Sequence, residues 1–187
     1  MGNRAVFLDR DGVICEDTDY LHRIEDLKFI TGSIEAISKI SKMDFKIIIP
    51  ASQSGIGRGY YTERDFHKVM KFMIKEILQN GGRIDGYYFC PHHLTEGKGK
   101  YKIDCKCRKP KTGMIEDAVR DFKLDLKDCY VIGDKTDDIQ MGKNAGCKTI
   151  LVKTGKAGLD GHFVVKPDYI AKDLNEAIKH IMEEEHG

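Results

Sequence analysis

"CYVIGDKTDDIQMGKNAGCKTILV", Cys129–Val152, is the stretch that decides the fold. "CYVIGD" is a short apolar run ending in a carboxylate, "DDIQMGKNAG" reads as a helix closed by Gly146, and "CKTILV" is a second apolar run. Strand, helix and strand with continuously apolar strands predict a parallel sheet covered on both faces. The same alternation runs outward in both directions. Upstream, "AVFLD" is a strand, "GSIEAISKISKM" has apolar residues at helical spacing, and "FKIIIP" is a buried strand closed by Pro50. "TERDFHKVMKFMIKEILQNGG" follows as the clearest helix, with Thr62 to cap it, acidic residues in its first turn and Gly81-Gly82 to end it. "GYYFC" is a strand, Pro91 to Arg108 a loop, and "GMIEDAVRDF" a helix. Downstream come a short strand at "DYI" and a last helix, "LNEAIKHIMEEEH". The reading is an α/β fold, a Rossmann-like three-layer α/β/α sandwich with a mainly parallel sheet, forming one domain over residues 1–187.

Bulk properties narrow the function. Of 187 residues, 41% are hydrophobic, enough for an ordinary core. Lys and Arg total 31 against 30 acidic residues, so no global field favours nucleic acid or an anionic membrane. No apolar run reaches the roughly 18 residues of a membrane span, and no secretory pattern opens the chain, so a cytoplasmic location is expected. Six cysteines in that reducing setting read as metal ligands or buried thiols rather than disulfides. Cys129 and Cys147 are expected to be plain buried thiols.

Chemistry in such sheets gathers at the carboxyl ends of the strands. Three segments fall there: Asp9 and Asp11 in "FLDRDG", the turn "ASQSGIGRG", and "GDKTDD". Packed carboxylates repel unless protonated or neutralised. Asp9, Asp11 and Asp134 converging from two strand ends make an all-oxygen site suited to Mg²⁺. Solvated turn carboxylates are the plainer reading of Asp-Gly, but a second acidic strand end tips the balance toward a site. "GIGRG" lacks the dinucleotide spacing, and no phosphate-binding Gly-Lys-Ser/Thr is present. In "CPHHLTEGKGKYKIDCKC", Cys90, His92 or His93, Cys105 and Cys107 match three thiolates and one imidazole of a closed Zn²⁺ site. Zinc there would order the loop 90–107 and, through it, Arg108 and Lys109.

"FLDRDG", the lysine of "CRKP" and "VIGDKTDD" resemble the first, third and fourth motifs of the haloacid dehalogenase superfamily. That resemblance implies Asp9 as nucleophile forming an aspartyl-phosphate and Asp11 as general acid, then base. It implies Lys109 as the stabilising cation and Asp134 completing the Mg²⁺ site, with Asp11 adding its main-chain carbonyl. Together with "SQSGIGRG", "YFCPHH" and "CKCRKP", the set is similar to the D-glycero-D-manno-heptose 1,7-bisphosphate 7-phosphatases over nearly the whole chain. The family resemblance implies a capless domain, zinc on Cys90, His92, Cys105 and Cys107, and a small-molecule sugar bisphosphate as partner. It also implies substrate contacts from Asp17, Thr18, Asp19, Tyr20, Ala51, Ser52, Gln53, Ser54, Arg108, Lys109 and Lys135. A small capless architecture is expected to act as a monomer.

One departure bears on activity. The family usually reads Thr-Asn-Gln-Ser-Gly where this chain reads Ala51-Ser52-Gln53-Ser54-Gly55, so the expected phosphoryl-binding hydroxyl is absent. Ser52 is adjacent, but neighbouring side chains on an extended segment point opposite ways. Histidinol-phosphatase is the enzymatic rival. Ala51 also invites a weakly active or non-catalytic sugar-phosphate-binding homologue.

Overall fold

A computed structural model describes residues 3–186. Six strands form one sheet in the order β3-β2-β1-β4-β5-β6, and every neighbouring pair is parallel. The strands are β1 (Ala5–Leu8), β2 (Lys46–Ser52), β3 (Gly86–Cys90), β4 (Tyr130–Gly133), β5 (Lys148–Val152) and β6 (Tyr169–Ala171). Connections run from β1 toward β3 on one side and from β4 toward β6 on the other. The order therefore reverses between β1 and β4, where α/β sheets open a ligand crevice.

Helices cover both faces. The α1 helix (Ser33–Ile40), α3 (Glu63–Gln79) and α6 (Leu174–His186) contribute to the larger apolar cluster with Leu8, Ile47 and Ile49. The α4 helix (Gly113–Phe122) and α5 (Thr136–Ala145) pack over Phe7, Ile48 and Val131 on the opposite side. The buried residues of α3, namely Phe66, Val69, Met70, Met73 and Ile77, repeat at helical intervals and form one stripe. Its start is the capping box anticipated at Thr62: the hydroxyl accepts from Asp65 N at 3.2 Å, and the Asp65 carboxylate accepts from Thr62 N at 3.0 Å.

Two differences from the expected elements have local causes. The first helix stops at Ile40 rather than Met43, because Ser41 caps it and the chain turns into β2. The turn "SGIGR" is instead a five-residue helix, α2 (Ser54–Arg58), closed by Gly59 at φ 80°. Its two internal glycines hide it from propensity reasoning. Gly57 is nonetheless required, since a Cβ there would lie 2.4 Å from the Pro91 carbonyl.

Candidate active site

Asp9 follows β1 and Asp134 follows β4. Leu8 pairs with Ile132, and Asp9 N donates to the Ile132 carbonyl at 3.0 Å, so these acidic residues meet at the reversal point. Asp134 is wholly buried. Its approach depends on glycines: a Cβ on Gly12 (φ +89°) or Gly155 (φ +60°) would come within 2.4 or 2.2 Å of Asp134 Oδ2. That oxygen accepts from Lys156 N at 2.7 Å. Asp134 Oδ1 is buried without a hydrogen-bond partner.

The third carboxylate of the cluster is Asp138, in the first turn of α5, and not Asp11. Oxygens of Asp9, Asp134 and Asp138 lie within 4.8 Å of one another. Asp138 lies within "GDKTDD", where the motif implies no role for it. Its place in the first helical turn after an acidic strand end was the available signal. Lys109 Nζ bridges this cluster, 2.7 Å from Asp9 Oδ1 and 2.6 Å from Asp138 Oδ1. Burial pushes the Asp134 pKa up to about 7, aided by repulsion from Asp9 and Asp138. Burial and Asp9 likewise hold Asp138 up at about 6, despite Lys109. Burial pulls Lys109 down, but Asp138 and Asp9 outweigh it and keep the ammonium charged.

Asp11 is placed differently from the expected cage. The strand ends at Leu8, so two-residue spacing no longer sets a common side. The carboxylate turns to Arg10, which grips Oδ1 and Oδ2 at 3.0 and 2.9 Å. A hard cation fits Asp9 and Asp134 best. Asp134 offers its orphaned Oδ1, whereas Asp138 is engaged by Lys109 and by Lys135 N at 3.2 Å.

The cluster opens into a cleft of about 230 Å³. Asp11 lines it, as do Asp17, Asp19 and Tyr20 of the flap, Ser52, Gln53 and Ser54 after β2, and Arg108, Lys109 and Lys135. Thr18 and Ala51 do not. Ala51 is 1% exposed, pairs with Phe89 and packs in the larger core, whereas Ser52 faces solvent. The flap is pinned by the Lys135–Asp17 ion pair at 3.0 Å and by Tyr20 edge-on to Tyr60. Tyr61, Asp137, Lys156 and His162 also line the cleft and were not anticipated. The last two come from the loop after β5, which carries no recognisable motif.

The cysteine–histidine loop closes on itself beside this cleft. Cys90 Sγ lies 3.5 Å from Cys105 Sγ and 3.8 Å from His92 Nδ1, and Cys107 Sγ lies 3.3 Å from His92 Nδ1 and 3.4 Å from Cys105 Sγ. A tetrahedron with Zn–S bonds of about 2.3 Å has edges of roughly 3.8 Å, so these donors fit zinc closely. Hydrogen bonding between Cys90 and Cys107 pulls the Cys107 thiol down and pushes that of Cys90 up. His93 is occupied elsewhere: Arg58 Nη2 lies 3.0 Å from its Nε2, and Glu96 N donates to its Nδ1 at 3.1 Å. Arg108 Nη1 reaches the His92 carbonyl at 3.5 Å, linking the loop to the cleft. Cys129 and Cys147 are buried, and burial raises their thiols to about 11 and about 12.

Residues 106–177 match a family model described as HAD-hydrolase-like. The D-glycero-β-D-manno-heptose-1,7-bisphosphate 7-phosphatase of Pasteurella multocida is 45% identical over 82% of this chain and 83% of its own. That of Haemophilus ducreyi is 38% identical over 97% of this chain and all of its own. The chain belongs to this family. Membership in the heptose bisphosphate phosphatases makes it a phosphoric monoester hydrolase of the haloacid dehalogenase superfamily, as its motifs implied. Another member, from Burkholderia mallei, is named for the α anomer and is 45% identical over 81% of this chain and 80% of its own. The crystal structure of D,D-heptose 1,7-bisphosphate phosphatase from B. bronchiseptica, complexed with magnesium and phosphate, superposes with a TM-score of 0.86. It is 29% identical and covers 97% of this chain and 99% of its own. No helix among the described residues is long and apolar enough to cross a membrane.

Proposed function

We propose that this chain is a Mg²⁺-dependent cytoplasmic phosphatase, monomeric in action, that removes the 7-phosphate of D-glycero-D-manno-heptose 1,7-bisphosphate. Its product would feed nucleotide-activated heptose synthesis. The observation that carries the reading is the pairing of buried Asp9 with Lys109 beside the orphaned Asp134 Oδ1, in a cleft that also presents Arg108 and Lys135.

Asp9 attacks the 7-phosphorus, forming an aspartyl-phosphate as the bond from phosphorus to the sugar oxygen breaks. The electron pair goes to that oxygen, which takes a proton from Asp11. A water then gives its proton to Asp11 as its oxygen bonds to phosphorus. The phosphorus–Asp9 bond breaks, which restores both aspartates and releases phosphate. Magnesium, held by Asp9, Asp134 and the Asp11 carbonyl, would offset phosphoryl charge. Lys109 holds Asp9 in line and stabilises charge on the moving group. Asp138 fixes the Lys109 ammonium. Arg108 suits the second phosphate, because a guanidinium fork binds two oxygens and zinc on Cys90, His92, Cys105 and Cys107 would keep its loop ordered.

Phosphate release from the α and β heptose bisphosphates and from histidinol phosphate, each with Mg²⁺ and with EDTA, tests this. The reading requires Mg²⁺-dependent release with a heptose anomer as the best substrate. Preference for histidinol phosphate refutes the substrate. No release from any of them refutes the enzyme.

A further inference from the structure

Arg10 separates the two aspartates of "DRD", and its side chain is 1% exposed. A charge withdrawn from water needs paired, hydrogen-bonded neighbours, so its partners indicate its purpose. Nε and Nη2 form a two-pronged contact with Asp11. Nη2 also lies 3.4 Å from both the Leu21 carbonyl and Gln53 Oε1. The guanidinium carbon stands 5.5 Å from the centre of the Phe66 ring. Gln53 in turn accepts from the Tyr61 hydroxyl at 2.7 Å, and Tyr61 stacks on His22 with ring centres 5.1 Å apart. One buried side chain thus joins the proton-transfer residue, the flap and the end of β2.

We infer that Arg10 is a positioning residue, fixing the orientation of the Asp11 carboxyl, which enters the reaction protonated and gives that proton to the departing sugar oxygen, and tying that orientation to the flap. The inference rests on the phosphatase reading above. Proton transfer needs oxygens about 2.6–3.2 Å apart. An aspartate free in both torsions spends little time at one such position, whereas a planar fork restrains both torsions together. A lysine supplies charge without that planarity. Apart from Arg10, the side-chain contact to the Asp11 carboxylate among the described residues is the Cys15 thiol at 3.6 Å, a weak donor.

The test compares kcat/KM for two esters in wild type, Asp11→Asn, Arg10→Lys and Arg10→Met. A sugar phosphate has a leaving oxygen that needs a proton; 2,4-dinitrophenyl phosphate has one that leaves without it. The ratio kcat/KM reports only steps up to cleavage of the ester, so the later water attack does not enter. Asp11→Asn should lower the sugar ester about 10²–10⁴-fold and the aryl ester far less. Arg10→Met should lower the ratio of sugar to aryl ester about tenfold or more, with Arg10→Lys in between, on the scale of general acid catalysis. Equal losses on both esters would assign Arg10 a merely structural role and overturn the inference, as would an unchanged ratio at full activity. Where Arg10→Met fails to give a cooperative melt, Arg10→Lys decides by the same ratio. An unchanged ratio in Asp11→Asn removes the acid and the inference with it. A wild type inert toward both esters sinks the phosphatase reading itself.

Discussion

Replacing Asp134 by asparagine should stabilise the metal-free protein while abolishing its response to magnesium. Asp134 is wholly buried, faces Asp9 and Asp138, and has one oxygen without a partner. Burial and these neighbours raise its pKa from 3.8 to about 7. A carboxyl raised on folding binds its proton more tightly in the native state. Its contribution is therefore fully present below about pH 4 and is lost as pH rises through about 7. At pH 8, a displacement of that size corresponds to about 4 kcal/mol. Because Asp138 shares the repulsion, we take about 2–4 kcal/mol for removing one charge. Asparagine keeps the shape and can still accept from Lys156 N. For a chain of this length the gain is roughly 5–15 °C in melting temperature. Thermal melts of wild type and variant, at pH 5 and pH 8, in EDTA and in Mg²⁺, check it. In EDTA the variant should melt higher at pH 8, with the gap shrinking at pH 5. Magnesium should raise only the wild type. A variant that melts no higher than wild type at pH 8, or a gap that ignores pH, refutes this account of the cluster.

Cys107→Ser should release zinc, measurable as sub-stoichiometric metal in the purified protein, and raise KM for the bisphosphate by about tenfold or more through loss of Arg108 positioning. Full zinc occupancy with unchanged kinetics would contradict the proposed ligand set. Ser52→Ala should lower turnover by up to the roughly 10²–10³ of one phosphoryl donor, since Ser52 lines the cleft while Ala51 is packed in the core. A folded Ser52→Ala protein with unchanged turnover would show that this hydroxyl contacts no phosphoryl oxygen.

The sequence by itself determined the layers, since apolar strands alternating with amphipathic helices leave a doubly covered parallel sheet as the way to bury both kinds of surface. It also brought Asp9 and Asp134 into view, because chemistry at strand ends follows from topology, and motif order supplied Lys109 and the family. Only tertiary structure decided which groups touch. Asp138 joins the cluster because α5 starts beside β4 and turns its first coil inward. Asp11 leaves the cluster because the strand ends before it and a buried arginine claims both its oxygens. His92 is chosen over His93 because Arg58 and the Glu96 amide occupy the second ring. Periodicity records which face a residue takes. Which partner wins on that face depends on distances between segments a hundred residues apart, and no local pattern carries those.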